Sequence, residues 1–285
     1  MTGPLPEGWL EDHPYLRPIA GLCARVDHAV SGSGLAEVAP PALEGYRDDF
    51  EAGIPLLSSA NAPVDLAPAV VPLEGILRTL QAEPLPEAIS GEVSALAAEL
   101  TRNPALSRQV VPLLLGDDSF EAPSPGLLRF LGWTALARAL RPVVEALAAW
   151  RDDERWQRRY CPGCGAGPAM GQIAGTDPAR HRLLCCGRCR SRWRWRRTQC
   201  PFCENDSHRL AGIKVEGEPD LRIDHCTECR GYLKTYVGQG REDVLLADWT
   251  SLHLDVLARD RGLVRMAASL YDLDGLLGGP AQPIA

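Results

Sequence analysis

CPGCGAGPAMGQIAGTDPARHRLLCCGRC at 161–189 and CPFCENDSHRLAGIKVEGEPDLRIDHCTEC at 200–229 are one pattern written twice. Each copy runs CPxC, then 21 or 22 residues, then CxxC. Cys161 and Cys164 recur 39 residues later as Cys200 and Cys203, and Cys186 and Cys189 recur 40 residues later as Cys226 and Cys229. The one-residue drift is a single loop insertion. Such spacing fits a four-cysteine metal ribbon. Two thiolates three residues apart share one tight knuckle turn, and two knuckles joined by a hairpin set four sulfurs tetrahedrally around one ion. A unit of about 40 residues cannot build a full hydrophobic core, so bound metal supplies much of its folding free energy.

Duplication of a self-contained unit favours sequential sites, Cys161, Cys164, Cys186 and Cys189 in one and Cys200, Cys203, Cys226 and Cys229 in the other. Cross-bracing, which pairs the first knuckle with the third and the second with the fourth, is the alternative, though it would not require a repeat. Four sulfurs suit zinc or iron, and the donor set does not choose between them. Cys185 precedes Cys186 and reads as a small buried residue, with ligand substitution or a free thiol as alternatives. His181 and His225 flank knuckles that already have four sulfurs, and read as supporting or surface groups. Cys23 stands alone in the sequence and reads as a core residue.

The surrounding chain is of an ordinary globular kind: 285 residues, 45% hydrophobic and 24% charged. Gly and Pro total 51 (27 plus 24), too few for a collagen-like or mostly disordered chain. Its start, MTGPLPEGWLEDHP, has no basic and apolar signal-peptide regions, so the expected compartment is the cytoplasm. In that reducing setting, spaced cysteines serve as metal ligands or catalytic thiols more often than as disulfides. The most apolar stretch, 127–150, is interrupted by Arg129, Arg138, Arg141 and Glu145, so no membrane insertion is expected.

Residues 1–156 are rich in Ala, Leu and Pro and show helical periodicity, which predicts an all-α domain. Its clearest segments are 88–100, with Ile89, Val93, Leu96 and Leu100, and 126–141, with Phe130, Trp133, Leu136 and Leu140; each is expected to bury one stripe. Pro142 cannot sit inside a helix, so a separate segment runs to Trp150. The Pro-rich 40–72 stretch reads as loops, some ordered against the helices. A first four-cysteine module then spans 157–198 and a second 199–243. The final part, 244–285, is expected to hold one amphipathic helix carrying Leu245, Trp249, Leu252 and Val256, and a loose tail after Gly275. The fold class is multi-domain α+β: an all-α N-terminal domain, two tandem zinc-ribbon-like four-cysteine modules and a C-terminal helix.

Charge is unevenly distributed. The chain carries −7 overall, but residues 151–200 hold twelve Arg against Asp152, Asp153, Glu154 and Asp177, a local +8 that leaves −15 for the rest. Within this segment Arg190, Arg192, Arg194 and Arg196 alternate with Ser191, Trp193 and Trp195. On a strand, period two puts the arginines on one face and both tryptophans on the other. The favoured reading packs the Trp face on the helical domain and pairs the Arg face with the protein's own acidic groups. An acidic partner bound by the four arginines comes next, and nucleic acid last, because a chain with pI near 5.4 lacks the basic balance of a dedicated nucleic-acid binder. No GxxxxGK[ST], GxGxxG, GxSxG or HExxH pattern is present, so a conventional enzyme is not expected. Thiol exchange by a CxxC pair is a further alternative, but it normally needs a βαβ context.

Five segments together resemble the FdhE-type formate dehydrogenase accessory family: RYCPGCG at 159–165, RLLCCGRCRSRW at 182–193, RRTQCPFCEN at 196–205, HCTECRGYLKTY at 225–236 and ADWTSLHLDVLARDRGL at 247–263. The resemblance covers about 105 residues; the first 155 share only length and helical character with the family. It implies two rubredoxin-like modules holding one metal ion each, iron favoured and zinc the alternative, with the eight CxxC cysteines as the functional thiols. It also implies a cytoplasmic maturation factor, not an enzyme, that binds the catalytic subunit of a respiratory formate dehydrogenase. The extra Cys185 departs from the family pattern at the second knuckle. A zinc-ribbon adaptor binding nucleic acid or an acidic protein through the Arg/Trp strand is the alternative function. Self-association is not legible.

Overall fold

The computed structural model of the chain describes residues 8–82, 84–85, 87–116, 123–267 and 269–270. Helices of eight or more residues up to position 150 are Arg17–Ser31, Leu73–Gln81, Glu87–Arg102, Leu106–Leu114, Pro125–Ala139 and Arg141–Trp150. Glu87–Arg102 buries Ile89, Val93 and Leu96 along one stripe, as its spacing requires. Pro125–Ala139 does not follow the one-stripe expectation. Leu127, Leu128, Phe130, Leu131, Trp133, Ala135 and Leu136 are all buried, because four neighbouring helices pack around it. The helix stops at Ala139, and Pro142 sits in the first turn of the next, where its missing N–H costs nothing. The 40–72 region is a connection pinned to this core: Tyr46, Phe50, Leu56 and Val71 are buried, and a short helix forms at Arg47–Ala52. Among the described residues no helix is long and apolar enough to cross a membrane.

After Trp150 the chain turns to strands: β1 (Pro168–Ala174), β2 (His181–Cys186), β3 (Arg192–Trp195), β4 (Leu210–Lys214), β5 (Leu221–Cys226), β6 (Gly231–Val237) and a short β7 (Val264–Arg265). They form one sheet in the order β3-β2-β1-β6-β5-β4, with β7 added beside β6. Each sequence repeat is thus a three-stranded antiparallel meander, and the second follows the first by translation along the sheet. The join is parallel, with Met170 opposite Lys234 and Ile173 opposite Val237. Both joining strands are buried almost throughout, as parallel pairing in mid-sheet demands. Gly171 permits the approach, since a Cβ there would stand 2.9 Å from both Leu233 Cδ2 and Thr235 Oγ1.

The C-terminal segment is not the single helix expected from Leu245, Trp249, Leu252 and Val256. It breaks into Glu242–Leu245, a 3₁₀ turn at Asp248–Ser251 and the helix Leu252–Asp260, and Val256 is exposed while Leu254, Asp255 and Ala258 are buried. Lys234 sits at the break. Its ammonium, on β6, is 1% exposed and donates to Asp248 Oδ1 (2.6 Å), Asp255 Oδ2 (2.7 Å) and the carbonyls of Asp248 (2.9 Å) and Ser251 (3.3 Å). Arg265 on β7 completes the network, reaching Asp248 at 2.7 Å and Asp255 at 2.8 Å, and the Tyr232 hydroxyl donates to Asp255 Oδ1 at 2.7 Å. The expected loose tail after Gly275 lies outside the described residues.

Burial raises the pKa of Asp248, but Arg265 and Lys234 outweigh it and hold the carboxyl well below its ordinary range. Its stabilising contribution is therefore complete above the unfolded carboxyl pKa of about 4 and is lost as pH falls below that toward the depressed folded value. Asp248→Asn, which leaves the buried Lys234 and the partly buried Arg265 facing one carboxylate, is expected to cost about 3–5 kcal/mol in urea unfolding at pH 7. The difference from the parent chain should shrink on acidification; a change below about 1 kcal/mol at pH 7 would contradict this account.

Candidate metal centres

The four knuckles close into two sulfur clusters, and the pairing is sequential. Cys161, Cys164, Cys186 and Cys189 have their sulfurs within 4.8 Å of one another, as do Cys200, Cys203, Cys226 and Cys229. In the first, Cys161 and Cys189 are 3.4 Å apart and Cys164 and Cys186 3.5 Å; in the second, Cys200 and Cys229 are 3.8 Å apart and Cys203 and Cys226 3.7 Å. A tetrahedron with metal–sulfur bonds of about 2.3 Å has an edge of about 3.8 Å. A disulfide needs about 2.05 Å. The arrangement therefore has the dimensions of a metal cage.

Backbone geometry makes each cage. Cys161 N–H donates to the Ala166 carbonyl and Gly165 N–H to the Cys161 carbonyl, while Gly163 N–H points at Cys161 Sγ from 3.3 Å. The equivalent turn at Cys200 uses Asn205, Glu204 and Phe202 in the same roles. Each of these turns needs one left-handed residue, Gly165 at φ 76° and Glu204 at φ 60°. The CxxC knuckles after β2 and β5 repeat the device with Arg190 at φ 67° and Arg230 at φ 60°. N–H groups aimed at sulfur favour the thiolate that a metal needs.

Four packed thiols do not all ionise readily. Burial raises Cys161, and the neighbouring Cys161 and Cys164 thiols raise Cys186, while the same neighbours stabilise Cys189 as the anion of the set. In the second cluster burial raises Cys229, and at Cys203 it is outweighed by the Asn205 backbone N–H and the adjoining thiols, which bring the group down to about 7. A divalent cation would displace the remaining protons and hold all four sulfurs as thiolates.

The clusters differ in cover. Three cysteines of the first are buried within the core of the helical half, beneath Leu56, Leu57, Leu140, Val143, Val144 and Leu147. Leu56 and Leu57 N–H groups donate to the carbonyls of Pro162 and Gly163 at 2.8 and 2.9 Å, fastening the knuckle to the 40–72 connection. Among the described residues the second cluster has no such cap: Cys203, Cys229 and Phe202 are only half-buried. Beside it opens a cleft of about 200 Å³ lined by Arg182, Arg197, Arg222, Asp224, Cys200 and Cys226. Sequence reading did not single out Arg182, Arg222 or Asp224, whose signal was only the general excess of arginine. Arg182, buried on β2, bridges the repeats through Asp224 on β5 at 3.2 Å.

The other candidates fall as follows. Trp193 and Trp195 are buried against the helical core, and their indole N–H groups donate to the carbonyls of Arg158 and Gln199. Of the arginines beside them, Arg194 lies against Glu154 and Arg192 reaches Gln172 Oε1 at 3.2 Å and Glu242 at 3.9 Å. Arg190 forms the second left-handed knuckle position, and Arg196 is exposed. Cys185 is buried and apart from both clusters, its thiol pushed by burial up to about 12. Cys23 is a core residue on Arg17–Ser31. His181 Nδ1 lies 3.4 Å from the Ala179 carbonyl, and His225 Nδ1 is buried without a hydrogen bond beside the cleft.

No family model matches the chain. It is 30% identical over 267 residues to the Protein FdhE homolog of Stutzerimonas stutzeri, covering 91% of this chain and 84% of that protein. The Protein FdhE homolog of Pseudomonas aeruginosa is 31% identical over 273 residues, covering 91% and 85%. Among solved structures, the crystal structure of the FdhE protein from Pseudomonas aeruginosa aligns with TM-score 0.59 at 25% identity, over 92% of this chain and 89% of that one.

The unequal cover predicts unequal metal release. With the metal-loaded protein in excess chelator, about half the thiolate-bound metal should leave quickly and the rest at least about tenfold more slowly, and Cys203→Ser should abolish the fast thiolate phase alone. A single phase in the parent chain would count against the difference in cover. Glu204→Gly, which removes a side chain from a left-handed position, should raise the stability of the metal-loaded protein by about 0.5–1 kcal/mol in denaturant unfolding.

Proposed function

The chain belongs to the FdhE family, and from that membership together with its two four-sulfur cages we propose that it is a cytoplasmic metal-binding accessory factor for maturation of a respiratory formate dehydrogenase, acting on the catalytic subunit. The observation that carries the reading is the pair of cages with different cover. Each repeat is a rubredoxin-like module holding one ion through its four cysteines. The first ion, sealed between the module and the helices, is structural. The second, next to half-buried Cys203 and Cys229 and to the arginine-lined cleft, is placed to meet a client.

Iron is the favoured metal, because family resemblance points to it and because a redox part in maturation would exclude zinc, which has no redox chemistry of its own. Zinc remains compatible with a purely structural part. The adaptor reading through the Arg/Trp strand has less support. Buried Trp193 and Trp195 offer no face for stacking a base, and Arg192 and Arg194 already meet acidic groups of the same chain.

The experiment is affinity purification of the tagged protein from its own cytoplasm under anaerobic conditions, with identification of co-eluting proteins and assay of formate dehydrogenase in the same cells. The catalytic subunit should co-elute, and Cys200→Ala with Cys203→Ala should reduce both its recovery and formate dehydrogenase activity at least about tenfold while the first cage keeps its metal. Full enzyme activity in cells carrying that double change would overturn the proposal.

A further inference from the structure

Far from both sulfur cages, three side chains from remote parts of the chain converge. His13 follows the short N-terminal helix Trp9–Asp12, Glu218 lies in the turn between β4 and β5, and His253 is on the helix Leu252–Asp260. Their donor atoms lie within 4.8 Å of one another, and His13 and Glu218 are each 7% exposed. The His13 ring is stacked on Trp9 with centroids 4.2 Å apart, which fixes its plane.

A backbone carbonyl fixes one hydrogen on the His13 ring. Its Nδ1 is 2.9 Å from the Trp9 carbonyl, which can only accept, so Nδ1 carries the hydrogen. Nε2 faces Glu218 Oε1 at 2.5 Å, a contact that needs a cation between the two atoms. At 2.5 Å that cation is a proton, and a metal ion takes its place once the contact opens to about 3.4 Å. His253 Nε2 is also 2.8 Å from Glu218 Oε1, yet neither ring nitrogen of His253 makes an aligned hydrogen bond, so its nitrogens are directed beside that oxygen and not at it. Two imidazoles and a carboxylate with donor atoms this close are the ligand types of a divalent transition-metal site. An imidazole whose other N–H is held by a backbone carbonyl is also the usual support of a metal-bound histidine.

From this convergence we propose a third metal site, in which His13 Nε2, the Glu218 carboxylate and His253 hold a divalent first-row transition ion of the Zn²⁺ type. The ideal donor–donor edge for such an ion is about 3.4 Å, so loading opens the His13–Glu218 and His253–Glu218 contacts by less than about 1 Å, within reach of side-chain rotation. Two nitrogens and one oxygen leave a further position for water or an incoming donor. The ion ties the N-terminal segment to the second repeat and to the C-terminal helix. This site is independent of the formate dehydrogenase reading and of the thiolates.

The test is metal counting on the full-length protein, stripped under reducing anaerobic conditions and titrated with Co²⁺, then separately loaded with Zn²⁺, desalted and analysed by mass spectrometry. About three equivalents per chain are expected, two with thiolate-to-cobalt charge-transfer bands and one without them. His13→Gln with His253→Gln should bind about two, losing only the equivalent that lacks charge transfer. The retained thiolate bands show that the variant is folded. Should the double variant lose those bands as well, Glu218→Gln alone decides, and it should lose the same single equivalent. Two equivalents in the parent chain, meaning that a proton alone occupies the triad, or a third equivalent that persists in Glu218→Gln, would overturn the site.

Discussion

The first four-sulfur cage is set inside the apolar core, and the architecture depends on that placement. Cys161, Cys186 and Cys189 are buried together with Leu184, Trp193 and the helical residues Leu140, Val143 and Leu147. Thiolates are costly to bury alone, so the site requires a cation to neutralise them and backbone N–H groups to solvate them. Once assembled, it gives β2 and β3 a rigid apolar face on which the helices can close. The helical half in turn contributes the Leu56 and Leu57 N–H groups that hold the knuckle's carbonyls. A metal ion bound in this cage would therefore be coupled to helical packing.

The second repeat has the same cage without the same surroundings, and the cause is translation. Because the repeats follow one another along the sheet, β1 gives its outer edge to β6, whereas the equivalent edge of β4 receives no strand among the described residues. The equivalent positions on the third strand of each repeat also diverge. Trp193 and Arg194 of the first become Leu233 and Lys234 of the second, and Lys234 organises a buried charge network where Arg194 makes a surface contact with Glu154. One repeat is docked by tryptophan on helices, the other by an ion cluster on a broken C-terminal helix. Divergence of this kind leaves the second cage the more accessible of two otherwise matched centres.

Polar clusters thus specify how the segments around His13 and after Asp248 meet the second repeat. Lys234, Asp248, Asp255 and Arg265 seat the C-terminal helix, and His13, Glu218 and His253 gather the N-terminal segment beside it. Neither cluster is a large source of net stability, because charges taken from water recover little more than their desolvation cost. What they supply is position: a misplaced segment would leave several charged groups buried without partners.

The sequence by itself determined the elements whose chemistry is local. The CPxC and CxxC spacing required knuckles, the 39–40 residue repeat required two equal units, and alternation in SRWRWRR required tryptophans on one face. Helical spacing located Glu87–Arg102 and, with Pro142, the break between two later helices. Only tertiary structure decided the features that depend on distant partners. Pro125–Ala139 is buried on nearly every side because helices surround it, and the C-terminal segment is broken where the Asp248 and Ser251 carbonyls meet Lys234 of β6, with Val256 exposed. The joining of β1 to β6, the different cover of the two cages and the meeting of His13 with residues 205 and 240 positions away follow from packing of whole units. Periodicity and motif spacing report forces within a turn or a hairpin; contacts between remote segments are set by the shape and charge of complete surfaces, which no short stretch of sequence encodes.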